Sequence, residues 1–188
     1  MTGKRVFDIV FAIGLMAILL IPMLIISLMV KLGSQGPVFY LSERMGRDNQ
    51  GFKMYKFRTM RTNTPVVATH LLDQAEQYLA PGASFLRKTS LDELPQLINI
   101  IKGEMSFVGP RPALFNQYDL IELRTARGIH RLTPGLTGLA QVNGRDELPI
   151  PEKVKFDRAY LDTRSFRLDL KILLLTLQKV ITKEGVSH

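Results

Sequence analysis

Asp92 and Glu93 are adjacent carboxylates in the stretch RKTSLDELPQLINIIKGEMSFVGPRP, residues 87–112. Arg87 and Lys88 stand just before them, and the turn Gly109-Pro110-Arg111-Pro112 follows. Acids among cations, close to the start of a helix, make a place to hold a metal-bound phosphate and attack it. The local pattern has two registers. Ser90 and Glu93 form an S-x-x-E capping box, or Asp92 is itself the N-cap, with Pro95 in the first turn, where a missing N–H costs little. In both, free amides and the helix dipole favour a negative Asp92, so it is expected to be ionised near neutrality. Taken alone, S-x-x-E is most often a cap and nothing more; the surrounding cations set this one apart.

The chain that must position these residues has 188 residues, enough for one domain, and no cysteine. Disulfides, thiolate zinc sites and cysteine nucleophiles are thereby excluded. The histidines, His70, His130 and His188, are far apart and match no metal-binding spacing. A net charge of +8 points to anionic partners: nucleic acid, lipid headgroups or a phosphorylated substrate. Residues 9–30, IVFAIGLMAILLIPMLIISLMV, carry no charge. A straight helix of that length reaches about 33 Å, enough to cross a bilayer. Pro22 interrupts the run, however, and positive charge flanks both ends: Lys4 and Arg5 before, Lys31, Arg44 and Arg47 after. Proline breaks helices, and cationic flanks favour the cytoplasm. These residues alone leave a spanning anchor and a re-entrant helix–break–helix both open.

Residues 38–41 and 52–57 read as strands of a β-hairpin with the polar segment 46–51 as its turn. The second run alternates aromatic with basic side chains, which suits nucleic-acid stacking or, more commonly, aromatics on a core with Lys56 towards solvent. Residues 61–84 read as an irregular surface excursion with a short helical piece at 71–79. Residues 114–127 read as a helix of mixed charge. Residues 134–145, PGLTGLAQVNGR, fit no nucleotide-binding glycine motif and read as a turn-rich loop, in which Arg145 can fork onto a phosphate. A helix at 151–161 leads into an apolar, basic helix at 166–181, suited to a membrane interface or to a buried core.

The motifs Lys4-Arg5-Val6-Phe7-Asp8-Ile9, Gly36-Pro37-Val38-Phe39, Lys56-Phe57-Arg58-Thr59-Met60, Ser90-Leu91-Asp92-Glu93-Leu94-Pro95-Gln96-Leu97, Gly109-Pro110-Arg111-Pro112 and the glycine segment ending in Arg145 together resemble the small bacterial monotopic phosphoglycosyl transferases, over nearly the whole chain. One departure stands out: Ile21 precedes the membrane proline, where well-known members carry serine. The resemblance implies an α/β, mainly helical protein. Residues 1–33 would be a re-entrant membrane helix broken near Pro22. Residues 34–188 would be a catalytic domain continuous with it, containing a short β-hairpin and interfacial amphipathic helices, on the cytoplasmic face of the bacterial inner membrane.

It further implies transfer of a sugar-1-phosphate from a UDP-sugar to undecaprenyl phosphate with release of UMP, at the start of polyprenol-linked glycan assembly and ahead of downstream glycosyltransferases. Asp92 would be the nucleophile, forming an aspartyl–phosphosugar intermediate, and would also ligate Mg²⁺. Glu93 would help bind the metal or manage a proton. Lys56, Arg87, Arg111 and Arg145 are the candidate phosphate-neutralising residues, and Asp169 matches a further family position. Two other classes fit parts of the chain. A nucleic-acid-binding module explains the charge but not the apolar run; a non-catalytic membrane scaffold explains the anchor but not the paired acids.

Overall fold

The N-terminal apolar run forms two helices, α1 (Thr2–Ile18) and α2 (Leu20–Gly33), bent by 65°. The computed structural model describes residues 2–62, 64, 75–144 and 148–182; Arg145 and residues 71–74 of the helical piece expected at 71–79 lie outside them, and Ala75–Tyr78 form a 3₁₀ turn. The break falls at Leu19 rather than at Pro22, and proline chemistry explains the offset. Pro22 has no N–H for the carbonyl four residues back, that of Ile18, and its ring crowds that carbonyl. The regular bonds resume beside the gap, Leu19 N to Leu15 O (2.8 Å) and Met23 N to Leu19 O (2.9 Å). Among the described residues no single helix is long and apolar enough to cross a membrane; the bent pair passes that test by length and composition only when taken together.

One side of α1 belongs to the core. Ala12 is fully buried, and Phe11 packs on Phe107 with ring centroids 5.0 Å apart. The polar residues of its first turns are bonded inward as well. Arg5 donates to the carbonyls of Ile100 and Ile101 in the last turn of helix α4 (Gln96–Lys102), of which Ile100 O also accepts from Gly103 N. Buried Asp8 accepts from Phe107 N. The other side of α1 exposes Val6, Val10 and Ile13. In α2, Ile26 and Val30 are buried with Phe57 and Leu86 in a second small core.

Strands β1 (Phe39–Met45) and β2 (Gly51–Phe57) form the antiparallel hairpin, paired from Phe39↔Phe57 to Met45↔Gly51. β1 runs four residues past its expected end, and Asp48 and Asn49 turn the chain with φ of 54° and 58°. Fully buried Asn99 pins β2 to α4: it accepts from Tyr55 N and donates to Lys53 O. Helix α3 (Ala83–Lys88) starts inside the stretch expected to be irregular, because Ala83 and Leu86 find a core to bury in.

A second sheet was not expected. β3 (Ser106–Val108) pairs in parallel with β4 (Gly135–Thr137). The turn-rich loop expected at 134–145 is therefore β4 followed by helix α6 (Leu139–Gly144). Its glycines are used for close backbone approach: a Cβ on Gly135 or Gly138 would strike the backbone of Gly109. Helices α5 (Tyr118–Ala126), α7 (Ile150–Thr163) and α8 (Phe166–Thr182) complete the structure. Their residues Leu120, Val154, Tyr160 and Ile172 join Ile100 and Phe107 in the main core. Among the described residues the result is mostly helical, with one hairpin and one two-stranded parallel ladder.

Candidate active site

Asp92 and Glu93 sit in a single 3₁₀ turn, Leu91–Glu93, between α3 and α4. Neither expected capping arrangement forms. Ser90 adopts a left-handed conformation (φ 57°) and makes no side-chain cap bond, and the residue capping α4 is Pro95. The cap is lost because Glu93 has stronger partners. Its Oε1 accepts from Lys56 Nζ at 2.7 Å and from Arg111 Nη2 at 3.0 Å, charge-assisted bonds that outweigh one to a neutral amide. Lys56 comes from β2 and Arg111 from the turn after β3, so Glu93 joins three segments remote in sequence. The alternation in β2 thus delivers Lys56 to a carboxylate, not to solvent; its side chain is 16% exposed.

The two acids are in opposite electrostatic states. Burial would raise the Glu93 carboxyl, but the charges and hydrogen bonds of Arg111 and Lys56 overcome it and hold the group well below the usual carboxylate range. Asp92 is 7% exposed. Its carboxyl is pushed up to about 6, chiefly by burial; Lys56 opposes this, neighbouring Glu93 adds to it, and Arg87 and Arg111 oppose it. Asp92 is thus mostly ionised near neutrality, as expected, though burial rather than a helix N-terminus sets its acidity.

The structure therefore brings together five sequence-predicted residues: Asp92, Glu93, Lys56, Arg87 and Arg111. Asp169 is bonded elsewhere. It is buried, accepts from Lys4 Nζ at 2.6 Å and Tyr160 OH at 2.7 Å, and ties α8 to α1 and α7. Burial and the bond to Asp169 push the Tyr160 hydroxyl well above its ordinary range. Towards the candidate site, the carbonyl of Val108, three residues before Arg111, accepts from both Lys4 (3.1 Å) and Tyr160 (3.3 Å). Among the described residues no three His, Asp or Glu side chains converge as a metal cluster.

The family model for bacterial sugar transferases matches residues 1–183 of the chain. The chain belongs to the bacterial sugar transferase family. The transferase is 41% identical to the uncharacterized sugar transferase EpsL of Bacillus subtilis, over 98% of this chain and 90% of that one. It is 38% identical to the exopolysaccharide production protein ExoY of Rhizobium meliloti, over 97% of this chain and 87% of the relative. To the UDP-glucose:undecaprenyl-phosphate glucose-1-phosphate transferase of Escherichia coli it is 43% identical over 94% of its own length, which is 39% of that longer protein. Sequence reasoning missed Asn99, Lys4, Arg124 and Asp157 as residues that build the transferase site. Apart from Asn99 to Glu104 and Arg124 to Arg111 O, 5 and 13 residues away, their partners lie 33 to 165 residues away, and no local pattern signals such pairings.

Proposed function

We propose that this transferase moves a sugar-1-phosphate from a UDP-sugar to undecaprenyl phosphate by way of a covalent intermediate on Asp92. The observation that carries the reading is a buried carboxylate, tuned to about 6, beside Lys56, Arg87 and Arg111. Asp92 is the nucleophile: a carboxylate oxygen bonds to the β-phosphorus, and the bond from that phosphorus to the bridging oxygen breaks, releasing UMP. An oxygen of the lipid phosphate then attacks the same phosphorus, Asp92 leaves as carboxylate, and the product is a polyprenyl diphospho-sugar. Lys56, Arg87 and Arg111 hold the diphosphate and the charge that develops on it. Glu93, held ionised by two cations, orients Lys56 and Arg111 and is poorly suited to carrying a proton.

Asp92 offers hard carboxylate oxygen with cationic neighbours but few further acids, a donor set that suits Mg²⁺, which binds few protein carboxylates and shares its remaining positions with phosphate and water. When bound, the ion would neutralise diphosphate charge. The exposed apolar surfaces of α1 and α2, together with Phe166, Leu170, Leu174 and Leu177 along α8, would lie against lipid. This would place the site at the cytoplasmic face of the inner membrane, where nucleotide and lipid phosphate meet, at the head of a glycan pathway.

The test is a half-reaction. With Mg²⁺ and a UDP-sugar that supports turnover, but no lipid, enzyme should release up to one equivalent of UMP per site and gain the mass of one phospho-sugar on Asp92. Asp92→Asn should lose both burst and turnover, and chelation should abolish both in the wild type. Turnover without a burst or adduct would indicate direct attack by the lipid phosphate and remove Asp92 from the covalent role.

A further inference from the structure

The arm that carries Arg111 is held at four consecutive carbonyls. Pro110 O accepts from Gly135 N (2.9 Å), Pro112 O from Arg44 Nη1 (3.2 Å) and Ala113 O from Met45 N (2.9 Å). Between them, Arg111 O accepts from Arg124 Nη1 at 2.8 Å. The same Arg124 places Nε and Nη2 on one oxygen of Asp157, Oδ2, at 3.0 and 2.6 Å. Arg124 lies on α5 and Asp157 on α7, and their side chains are 11% and 2% exposed. Prolines on either side of Arg111 bring no amide of their own, and between the strand amides that hold Pro110 O and Ala113 O the Arg111 carbonyl is held by a side chain.

A buried ion pair is a poor device for stability, since well-packed apolar residues of similar volume usually serve as well or better. Its value here is geometric. A guanidinium has a rigid planar fork; with its Nε and Nη2 edge fixed on Asp157, Nη1 on the other side defines where the Arg111 peptide must lie. From that peptide the Arg111 side chain reaches Glu93 at 3.0 Å.

We propose that Arg124 and Asp157 are positioning residues for Arg111: the buried pair fixes the Arg111 backbone so that its guanidinium meets the diphosphate beside Asp92 and Glu93. The inference rests on the reading of Arg111 as a substrate-binding residue under Proposed function, and it adds two residues that never touch substrate.

A double-mutant cycle separates this from a merely structural role. Arg124→Met is combined with Asp157→Leu, so that neither charge is left buried alone, in the wild-type and in the Arg111→Ala background. UMP release is measured with undecaprenyl phosphate and a turnover-supporting UDP-sugar, screened from UDP-glucose and UDP-galactose. In the wild-type background the paired substitution should lower kcat/KM at least tenfold, with the thermal midpoint little changed. In the Arg111→Ala background it should cost less than twofold. Equal losses in both backgrounds would overturn the proposal and make the pair purely structural. Wild-type activity in Arg111→Ala alone would instead sink the reading of Arg111 itself. If the paired variant does not fold, Asp157→Asn in the same cycle serves: it keeps an acceptor for Arg124 but loosens the fork, and should raise KM several-fold only where Arg111 is present. A KM increase of the same size without Arg111 would count against the proposal.

Discussion

Adjacent acids with opposite charge histories set the chemistry at the scale of single residues. Glu93 is an anion satisfied by Lys56 and Arg111; Asp92 is an anion kept at a cost, because burial outweighs the cations near it. Stability should reflect that difference. The unfolded Asp92 titrates near 3.8 and the folded one near 6, so between these values the folded protein holds more protons than the unfolded. Stability from this group therefore falls as pH rises through that window and stays low above it. Asp92→Asn should accordingly stabilise the fold at pH 7.5 by up to about 3 kcal/mol while abolishing turnover, and the gain should fade towards pH 4. Glu93→Gln should do the reverse. Its lowered pKa contributes stability above the ordinary carboxyl value of 4.5, lost as pH falls through the folded value, so Glu93→Gln destabilises at neutrality and less in strong acid. Denaturant midpoints in detergent at both pH values check the pair; equal shifts of one sign for the two variants would contradict it. The grouping of these acids with Lys56, Arg87 and Arg111 was legible through the family resemblance of the motifs, whereas the residue pattern of β2 alone sent Lys56 to solvent. The cause of Asp92's acidity was not, because capping patterns say nothing about burial and Ser90's left-handed turn cancels the cap.

Elements show the same division between what local chemistry announces and what only packing decides. The hairpin, α5, α7 and α8 are visible as periodicity or as turn residues, and Pro22 announces a break. The pairing of β3 with β4 is invisible: three residues each are too few for a period, and what joins them is contact between glycine backbones far apart in sequence. Pro22 carries a test at this scale. Ile21 is 70% exposed and makes no bond that helps the bend, so proline must hold it largely alone. Because the chain has no cysteine, single cysteines at Thr2 and Gln35 give clean labelling; Ser34 is avoided, since its hydroxyl accepts from Arg58. With both flanks on one side, an impermeant thiol reagent should miss both in intact cells and reach both after lysis. Pro22→Ala restores the missing N–H and should let the joined helix straighten to about 48 Å over residues 2–33, enough to cross, so that one of the two cysteines becomes accessible from outside. Labelling of one site in the native sequence would mean that the bent pair spans.

On the scale of the whole molecule, the question is whether the apolar N-terminus is a detachable anchor or part of the folded unit. Composition separates it cleanly from the rest, yet the sequence reads as a membrane helix continuous with one catalytic domain. The contacts describe how the two are joined. Arg5 closes the end of α4, Asp8 holds Phe107 N, and Lys4 pairs with buried Asp169 while donating to Val108 O, two residues before the Pro110-Arg111-Pro112 turn. Removing residues 1–33 would leave Asp169 as a buried carboxylate without its cation, a defect that costs about 3–5 kcal/mol where one partner of a buried pair is lost. It would also uncover Phe107, fully buried Ile100 and the second core around Phe57 and Leu86. Those losses together rival the whole stability of an ordinary domain, about 5–15 kcal/mol. A chain of residues 34–188 should therefore fail to fold: far-UV circular dichroism would retain some helix, but heating would give no cooperative transition, and dye binding would report exposed apolar surface. Adding the missing segment back as a separate peptide in detergent should restore a transition, and Asp8→Ala in that peptide should weaken the rescue by leaving Phe107 N unpaired. A cooperative melt from residues 34–188 alone would mean that the rest of the chain stands without its N-terminal helices, and that the bonds from Lys4, Arg5 and Asp8 merely dock them.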